Sequence, residues 1–298
     1  MKVFSVATDR VAFLSSLEDS ARRFDYDLHV LGRDQKWQGF LWRWTLVLDA
    51  VEALDPDEVV SVVDGYDVVL AGPAELLEKL YHNAVPNGDA LLFGQEHRQE
   101  HSSRLFWFIT EIFHQYHAVA PDQPIINAGV CVGTAQLVKE LCLTMLAAGR
   151  DLPKPDDQRL LNQLVARGAV RVRLHEALHA HCDRRVIGPL KQIVTNMPTP
   201  PDGPLTFCDG AVYVAGSRGE GPVTRPITRA LVVHGIFSSN LVPVCEKIGV
   251  APPLDEDLGK RTISQPDIRM MRNVVRALTA LSVVVWVMSV LVELHKLR

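Results

Sequence analysis

Apolar and polar positions along this chain alternate between short β-branched runs and longer stretches of helical spacing. Residues 2–7 read as a strand, residues 11–24 as a helix, and residues 27–31 as a second strand ending at Gly32. A helix over 41–54 stops at Asp55-Pro56, and a strand follows over 58–63. Pro73, suited to a first helical turn, opens a helix to residue 81, and 90–93 is the next strand. Beyond lie a helix over 105–117, an irregular strand over 125–133, and helices over 134–147 and 156–167. Strands over 170–174, 211–215 and 230–233 complete the pattern, with Pro- and Gly-rich loops at 197–204 and 216–226. This βαβ rhythm predicts an α/β fold with a mostly parallel, doubly wound sheet.

One run stands out: Val59-Val60-Ser61-Val62-Val63-Asp64-Gly65-Tyr66-Asp67-Val68-Val69-Leu70. Its Val-rich part predicts a strand buried on both faces, as in the middle of a parallel sheet. Asp64 and Asp67 emerge where that strand runs out, and the carboxyl ends of strands are where open α/β sheets bind ligands. Two acids beside an apolar strand are costly unless a cation or hydrogen-bond donors compensate. Two readings stand side by side. One is a divalent-metal site for a phosphorylated ligand; the other is a strand-to-turn corner with Asp64 capping and Gly65 supplying the turn.

His234 ends the apolar run Ala230-Leu231-Val232-Val233 and precedes Gly235, which puts an imidazole at another strand terminus. It is either a satisfied core histidine or a ligand. Two Asp oxygens and one imidazole nitrogen suit Mn²⁺ and leave positions open for diphosphate oxygens. Asn127-Ala128-Gly129 interrupts an apolar segment: Gly129 permits close backbone approach, and Asn127 offers donor and acceptor to sugar hydroxyls. A β-bulge or turn explains the same residues. Asp156-Asp157-Gln158, after Pro155, opens a helix, where acids are ordinary capping residues.

Composition narrows the class. The chain has 298 residues, 47% apolar and 22% charged, as in an ordinary folded protein. A net charge of -4 gives no electrostatic case for nucleic acid. The five cysteines have no C-x-x-C spacing, which argues against a zinc site and a disulfide framework and fits buried thiols in a reducing compartment. Residues 277–292 carry no charge and, with Val274, Val275 and Arg276, approach the length of a membrane span. Arg261, Arg269, Arg272 and Arg276 precede that run. The expectation is a domain over 1–250, a linker over 251–273 and a single-pass transmembrane anchor over 274–294, with the catalytic domain cytoplasmic.

The motifs in their order resemble the glycosyltransferase domain of the multifunctional procollagen lysyl hydroxylases and related procollagen glycosyltransferases. The resemblance covers most of residues 1–250. It begins with Val6-Ala7-Thr8-Asp9, Leu31-Gly32 and Trp37, and is densest at Asp64-Gly65-Tyr66-Asp67-Val68, similar to the family's Asp-Ser-Tyr-Asp-Val. It continues through Phe93-Gly94-Gln95-Glu96 and Asn127-Ala128-Gly129-Val130-Cys131-Val132-Gly133, similar to the family's Leu-Asn-Ser-Gly. Asp156-Asp157-Gln158 and Val233-His234-Gly235 complete it.

The resemblance implies a GT-A-like doubly wound mixed sheet with a Rossmann-like N-terminal half. It implies transfer of a hexose from UDP-glucose or UDP-galactose to a hydroxyl of a protein or glycan acceptor. Asp64, Asp67 and His234 would hold Mn²⁺ on the diphosphate; Tyr66 would stack on uracil, and Thr8, Gly129 and Gly235 would line the nucleotide site. Asn127, Asp156 and Asp157 would face the donor sugar or acceptor, with Asp157 the preferred candidate to orient or deprotonate the acceptor hydroxyl. The family continues past the histidine with Gly-Asn-Gly, whereas this chain has His234-Gly235-Ile236-Phe237, so the family's Asn contact is missing or is replaced by Ser238, Ser239 or Asn240. Two alternatives accompany this reading: a metal-dependent phosphohydrolase using Asp64 or Asp67, and a catalytically inactive, membrane-anchored nucleotide-sugar-binding protein.

Overall fold

The valine run earns its place at the centre of a sheet by facing helices on both sides. The computed structural model describes residues 1–96, 124–153, 155–181, 205–215, 227–235 and 241–254. It begins with β1 (Lys2–Val6), α1 (Leu14–Arg23), β2 (Asp27–Leu31), α2 (Phe40–Val51) and β3 (Val59–Asp64). β1 pairs in parallel with β2 on one side and β3 on the other. Parallel crossovers of one hand, made first outward and then back past β1, put α1 and α2 on opposite faces. Leu14, Leu17 and Ala21 of α1 share a core with Val59 and Val63, while Trp44, Val47 and Val51 of α2 share the other with Val60 and Val62. Successive strand residues point to opposite faces, so a strand covered on both must be apolar throughout.

The chain continues through β4 (Val68–Leu70), α3 (Ala74–Ala84), β5 (Leu91–Glu96), β6 (Ile125–Thr134), α4 (Ala135–Gly149), α5 (Asp157–Ala166) and β7 (Val172–Leu174). Then follow β8 (Leu178–His181), β9 (Leu205–Cys208), β10 (Ala211–Ala215), β11 (Ile227–Ala230), β12 (Val232–Gly235) and α6 (Val242–Ile248). The main sheet has the order β2-β1-β3-β6-β5-β7. α1 and α3 cover one face, and α2, α4 and α5 the other. Two smaller sheets, β4-β12-β8 and β11-β10-β9, lie in the same compact unit. Thr134 starts α4 by accepting the Leu137 amide on its hydroxyl, which explains the boundary read from the sequence.

The main sheet is parallel-rich but mixed, as the βαβ rhythm and the resemblance together imply: β1, β2 and β3 pair in parallel, as do β5 and β7, while β6 runs antiparallel to both β3 and β5. Other expectations are extended or corrected. The 59–70 run is two strands in two sheets: the chain leaves the main sheet at Asp64 and enters β4 at Val68. Gly65 makes that exit possible by close approach, since a Cβ there would lie 2.9 Å from both Ala7 Cβ and the Val6 carbonyl oxygen. The 230–233 run likewise divides between β11 and β12.

Among the described residues no helix is long and apolar enough to cross a membrane. The transmembrane helix expected over 274–294 lies outside the described residues. The fold class of the described residues is therefore corrected to a mixed α/β domain without a transmembrane helix, and the single-pass membrane localisation expected with the anchor finds no support among them. The helix at 105–117, the loops at 197–204 and 216–226, and Ser238, Ser239 and Asn240 also fall outside. Cys131, Cys142 and Cys245 are buried free thiols and Cys208 is an exposed one; Cys182 is outside the described residues.

Candidate metal centre

Strand register brings the three expected ligands together. Asp64 is the last residue of β3, and Asp67 immediately precedes β4. β12 runs antiparallel to β4 with His234 opposite Val68, and the Gly235 amide donates to the Asp67 carbonyl oxygen at 2.6 Å. The imidazole thus arrives beside Asp67 from a segment far along the chain. His234 Nε2 lies 3.5 Å from Asp64 Oδ2 and 3.5 Å from Asp67 Oδ1. One ligand atom from each residue fits within 4.8 Å of the others. Two carboxylates and an imidazole are a donor set suited to a divalent transition metal.

Asn127 decides which imidazole nitrogen faces the carboxylates. Its side-chain oxygen accepts the Gly129 amide at 3.0 Å and lies 2.8 Å from His234 Nδ1. Because a backbone N–H can only donate, the Asn127 atom there is the oxygen, and Nδ1 must carry the proton. In the neutral imidazole Nε2 then carries the lone pair, on the side of Asp64 and Asp67. That is the tautomer a metal ligand needs. Asn127 itself is buried, at 1% exposure. Gly129 is required on the same grounds: a Cβ there would run into the His234 ring and lie 2.8 Å from Asp64 Oδ2.

The backbone at this point is irregular for a reason the sheet supplies. Phe93 of β5 pairs with Cys131, yet the next residue, Gly94, pairs with Asn127, so 128–130 bulge out of that ladder. Groups freed by the bulge find side-chain partners. Gln158 of α5 accepts the Ala128 amide at 3.3 Å, and Arg43 of α2 donates to the Ala128 carbonyl at 3.5 Å. Asn162, one turn further along α5, bonds both the amide and the carbonyl of Ile126.

The remaining candidates fall on two sides of this centre. Asp156 caps α5 by accepting the Arg159 amide at 2.8 Å. Asp157, in the first turn, is buried and paired with Arg43 at 3.1 Å. Burial pushes its carboxyl up, Arg43 pulls it down, and Asp64 and Asp156 push it up again, which leaves it raised to about 6. On the other side, the Tyr66 hydroxyl accepts the Thr8 amide at 2.8 Å and the Asp9 amide at 3.2 Å. It also lies 3.1 Å from the Thr8 hydroxyl. Gly235 is packed against Leu241.

Arg43 is the residue the sequence did not reveal. Arg43 is 4% exposed, and its guanidinium lies 2.6 Å from Asp64 as well as 3.1 Å from Asp157. Burial lowers its proton affinity, but Asp64, Asp157 and Asp67 raise it by more, and Arg43 stays charged. An arginine flanked by tryptophans within an apolar helix was the available clue, since a charge on a buried face needs a partner.

Comparison with known proteins follows this geometry. A model of the PLOD GT domain family matches residues 1–175. Multifunctional procollagen lysine hydroxylase and glycosyltransferase LH3 of Rattus norvegicus is 28% identical over 187 residues, covering 59% of this chain and 23% of that protein. LH3 of Homo sapiens is 29% identical over 150 residues, covering 47% of this chain and 19% of that protein. The match therefore spans less than a quarter of these relatives' length. The galactosyltransferase LgtC, solved with donor and acceptor sugar analogs, superposes with a TM-score of 0.47 at 15% identity, covering 88% of this chain and 100% of that one. A glycosyltransferase involved in glycosylation of the major capsid of PBCV-1 gives 0.43 at 12% identity, covering 83% and 98%.

Proposed function

The chain belongs to the PLOD GT domain family, a GT-A-type glycosyltransferase domain, and from that premise we propose that it moves a hexose from a UDP-sugar to a hydroxyl of a protein or glycan acceptor. The observation that carries the proposal is the convergence of Asp64 and Asp67 with His234 Nε2, whose lone pair Asn127 turns toward them. These three residues would hold a divalent cation, with Mn²⁺ the metal that suits the donor set. A cation held there supplies neutralisation of the charge that develops on the departing diphosphate.

The chain's own residues do the rest in this reading. Thr8 and Tyr66, tied together through the tyrosine hydroxyl, would form the wall against which the uracil ring stacks. Gly129 would keep space for the His234 ring and Asp64, while Gly235, packed against Leu241, would serve the nucleotide site through its backbone, whose amide holds the Asp67 carbonyl. Asp157 would orient the acceptor hydroxyl or accept its proton, and a carboxyl raised to about 6 is a stronger base than an ordinary aspartate. Asp156 would complete the acid pair at the start of α5, and Asn127 would act on the donor side through His234.

Thermal melts with UDP-glucose and UDP-galactose, each with and without Mn²⁺, test this reading. A ligand that binds only the folded chain raises its melting temperature by mass action. The expected result is an increase that requires both metal and nucleotide sugar, accompanied by release of UDP when a hydroxyl acceptor is present. Phosphate release from small phosphoesters without any nucleotide-sugar dependence would replace the transferase with a phosphohydrolase. A metal-dependent shift with no turnover on any acceptor would leave a nucleotide-sugar-binding protein.

A further inference from the structure

We infer that Arg43 is a positioning residue that sets Asp64 and Asp157 relative to each other through one guanidinium nitrogen that both carboxylates share. The inference rests on the reading that Asp64, Asp67 and His234 hold a divalent metal. Nη1 donates a hydrogen bond to Asp157 Oδ2 at 3.1 Å and forms an ion pair with Asp64 Oδ1 at 2.6 Å. Nη2 reaches the Ala128 carbonyl at 3.5 Å, inside the β6 bulge. The guanidinium lies over the Trp44 ring, 5.1 Å from its centroid, and Trp44 is itself fully buried. Arg43 therefore has little freedom to move.

The consequence for Asp64 is specific. With Oδ1 taken by Arg43, its other oxygen, Oδ2, is the one turned toward His234 Nε2. Arg43 thereby makes Asp64 a ligand that offers one oxygen to the centre. The same nitrogen holds the acid at the start of α5, so the metal side and the acceptor side of the site share one fixed point. A structural ion pair needs only two partners. Here α2, the end of β3, the bulge of β6 and the first turn of α5 meet at a single side chain. Lysine could supply the charge but not the planar fork that reaches both carboxylates and the carbonyl.

The test uses the full chain and Mn²⁺ alone, with no donor, titrated by electron paramagnetic resonance. Arg43→Lys keeps the charge and loses the fork, and its Mn²⁺ Kd is expected to rise about tenfold, in the range seen when partners of metal ligands are removed. A folded Arg43→Lys protein with wild-type Mn²⁺ affinity would overturn the assignment and leave Arg43 a counter-charge only. Should Arg43→Lys fail to fold, Asp157→Asn carries the test: the shared nitrogen is then drawn wholly onto Asp64, and Mn²⁺ should bind about threefold more weakly. Unchanged or tighter binding would overturn it. Urea midpoints of Asp157→Asn, Arg43→Lys and the double variant judge the shared nitrogen without metal. Sharing requires the double variant to lose less than the sum of the singles, and strict additivity would refute it. A wild-type chain that binds no Mn²⁺ but shows this non-additivity would sink the metal reading while leaving the shared nitrogen standing.

Discussion

Asn127 shows how one amide can settle the chemistry of a neighbouring ring. Its oxygen takes the Gly129 amide and the Nδ1 proton of His234 at a site with almost no solvent access. Asn127→Ala leaves both donors without that acceptor, which should lower stability in urea by about 1–3 kcal/mol. The same variant should weaken Mn²⁺ binding by roughly 10–100-fold, because the imidazole loses the partner that fixes its tautomer. Retention of wild-type Mn²⁺ affinity in a destabilised variant would mean that His234 holds its orientation without Asn127. Asp157 gives a second outcome at this scale, in the pH dependence of stability. Its folded value of about 6 lies above the ordinary 3.8, so its contribution is fully present below about pH 3.8 and is lost as pH rises through about 6. The stability of wild type relative to Asp157→Asn should therefore fall across that window, by an amount on the order of 3 kcal/mol. A difference that stays flat with pH would show that burial does not raise this carboxyl.

At the scale of elements, the site is made by interruptions in regular structure. β3 stops at Asp64 because the chain must cross from one sheet to another, and β6 bulges where Asn127 and Gly129 meet His234 and Asp64. Gly129→Ala should abolish Mn²⁺ binding with the fold retained, because the added methyl would displace the His234 ring and press on Asp64 Oδ2. Circular dichroism and the same Mn²⁺ titration check this; a folded Ala variant that binds normally would remove the close packing from the account. Regular elements were legible from the sequence where local rules decide them. β2 was read with both ends correct, and α4 was bounded by the Thr134 cap. The end of β3 was read to within one residue, but β4 was not anticipated as a strand of its own, because Val68–Leu70 pairs with β12 from much later in the chain. β8, β9 and α6 are short and were not anticipated, since their existence depends on partners brought by other segments.

Over the whole molecule, the three proposed ligands were legible as residues at strand ends, and their assembly depends on β12 pairing with β4. That pairing is long-range and leaves no mark in local sequence. Arg43 was hidden for the related reason that its partners, Asp64 and Asp157, come from two separate elements later in the chain, the end of β3 and the first turn of α5. Family membership raises the expectation of UDP-sugar chemistry, but the central claim is narrower: Asp64, Asp67 and His234 form one metal centre on which UDP binding depends. Calorimetric titration of UDP into the wild-type chain and into Asp67→Ala and His234→Ala, each with Mn²⁺ and with chelator, measures it most directly. The account predicts saturable binding to the wild type only when Mn²⁺ is present, and loss of that binding in both variants while their far-ultraviolet spectra stay unchanged. UDP binding of equal strength with chelator, or retained in the His234→Ala protein, would contradict it.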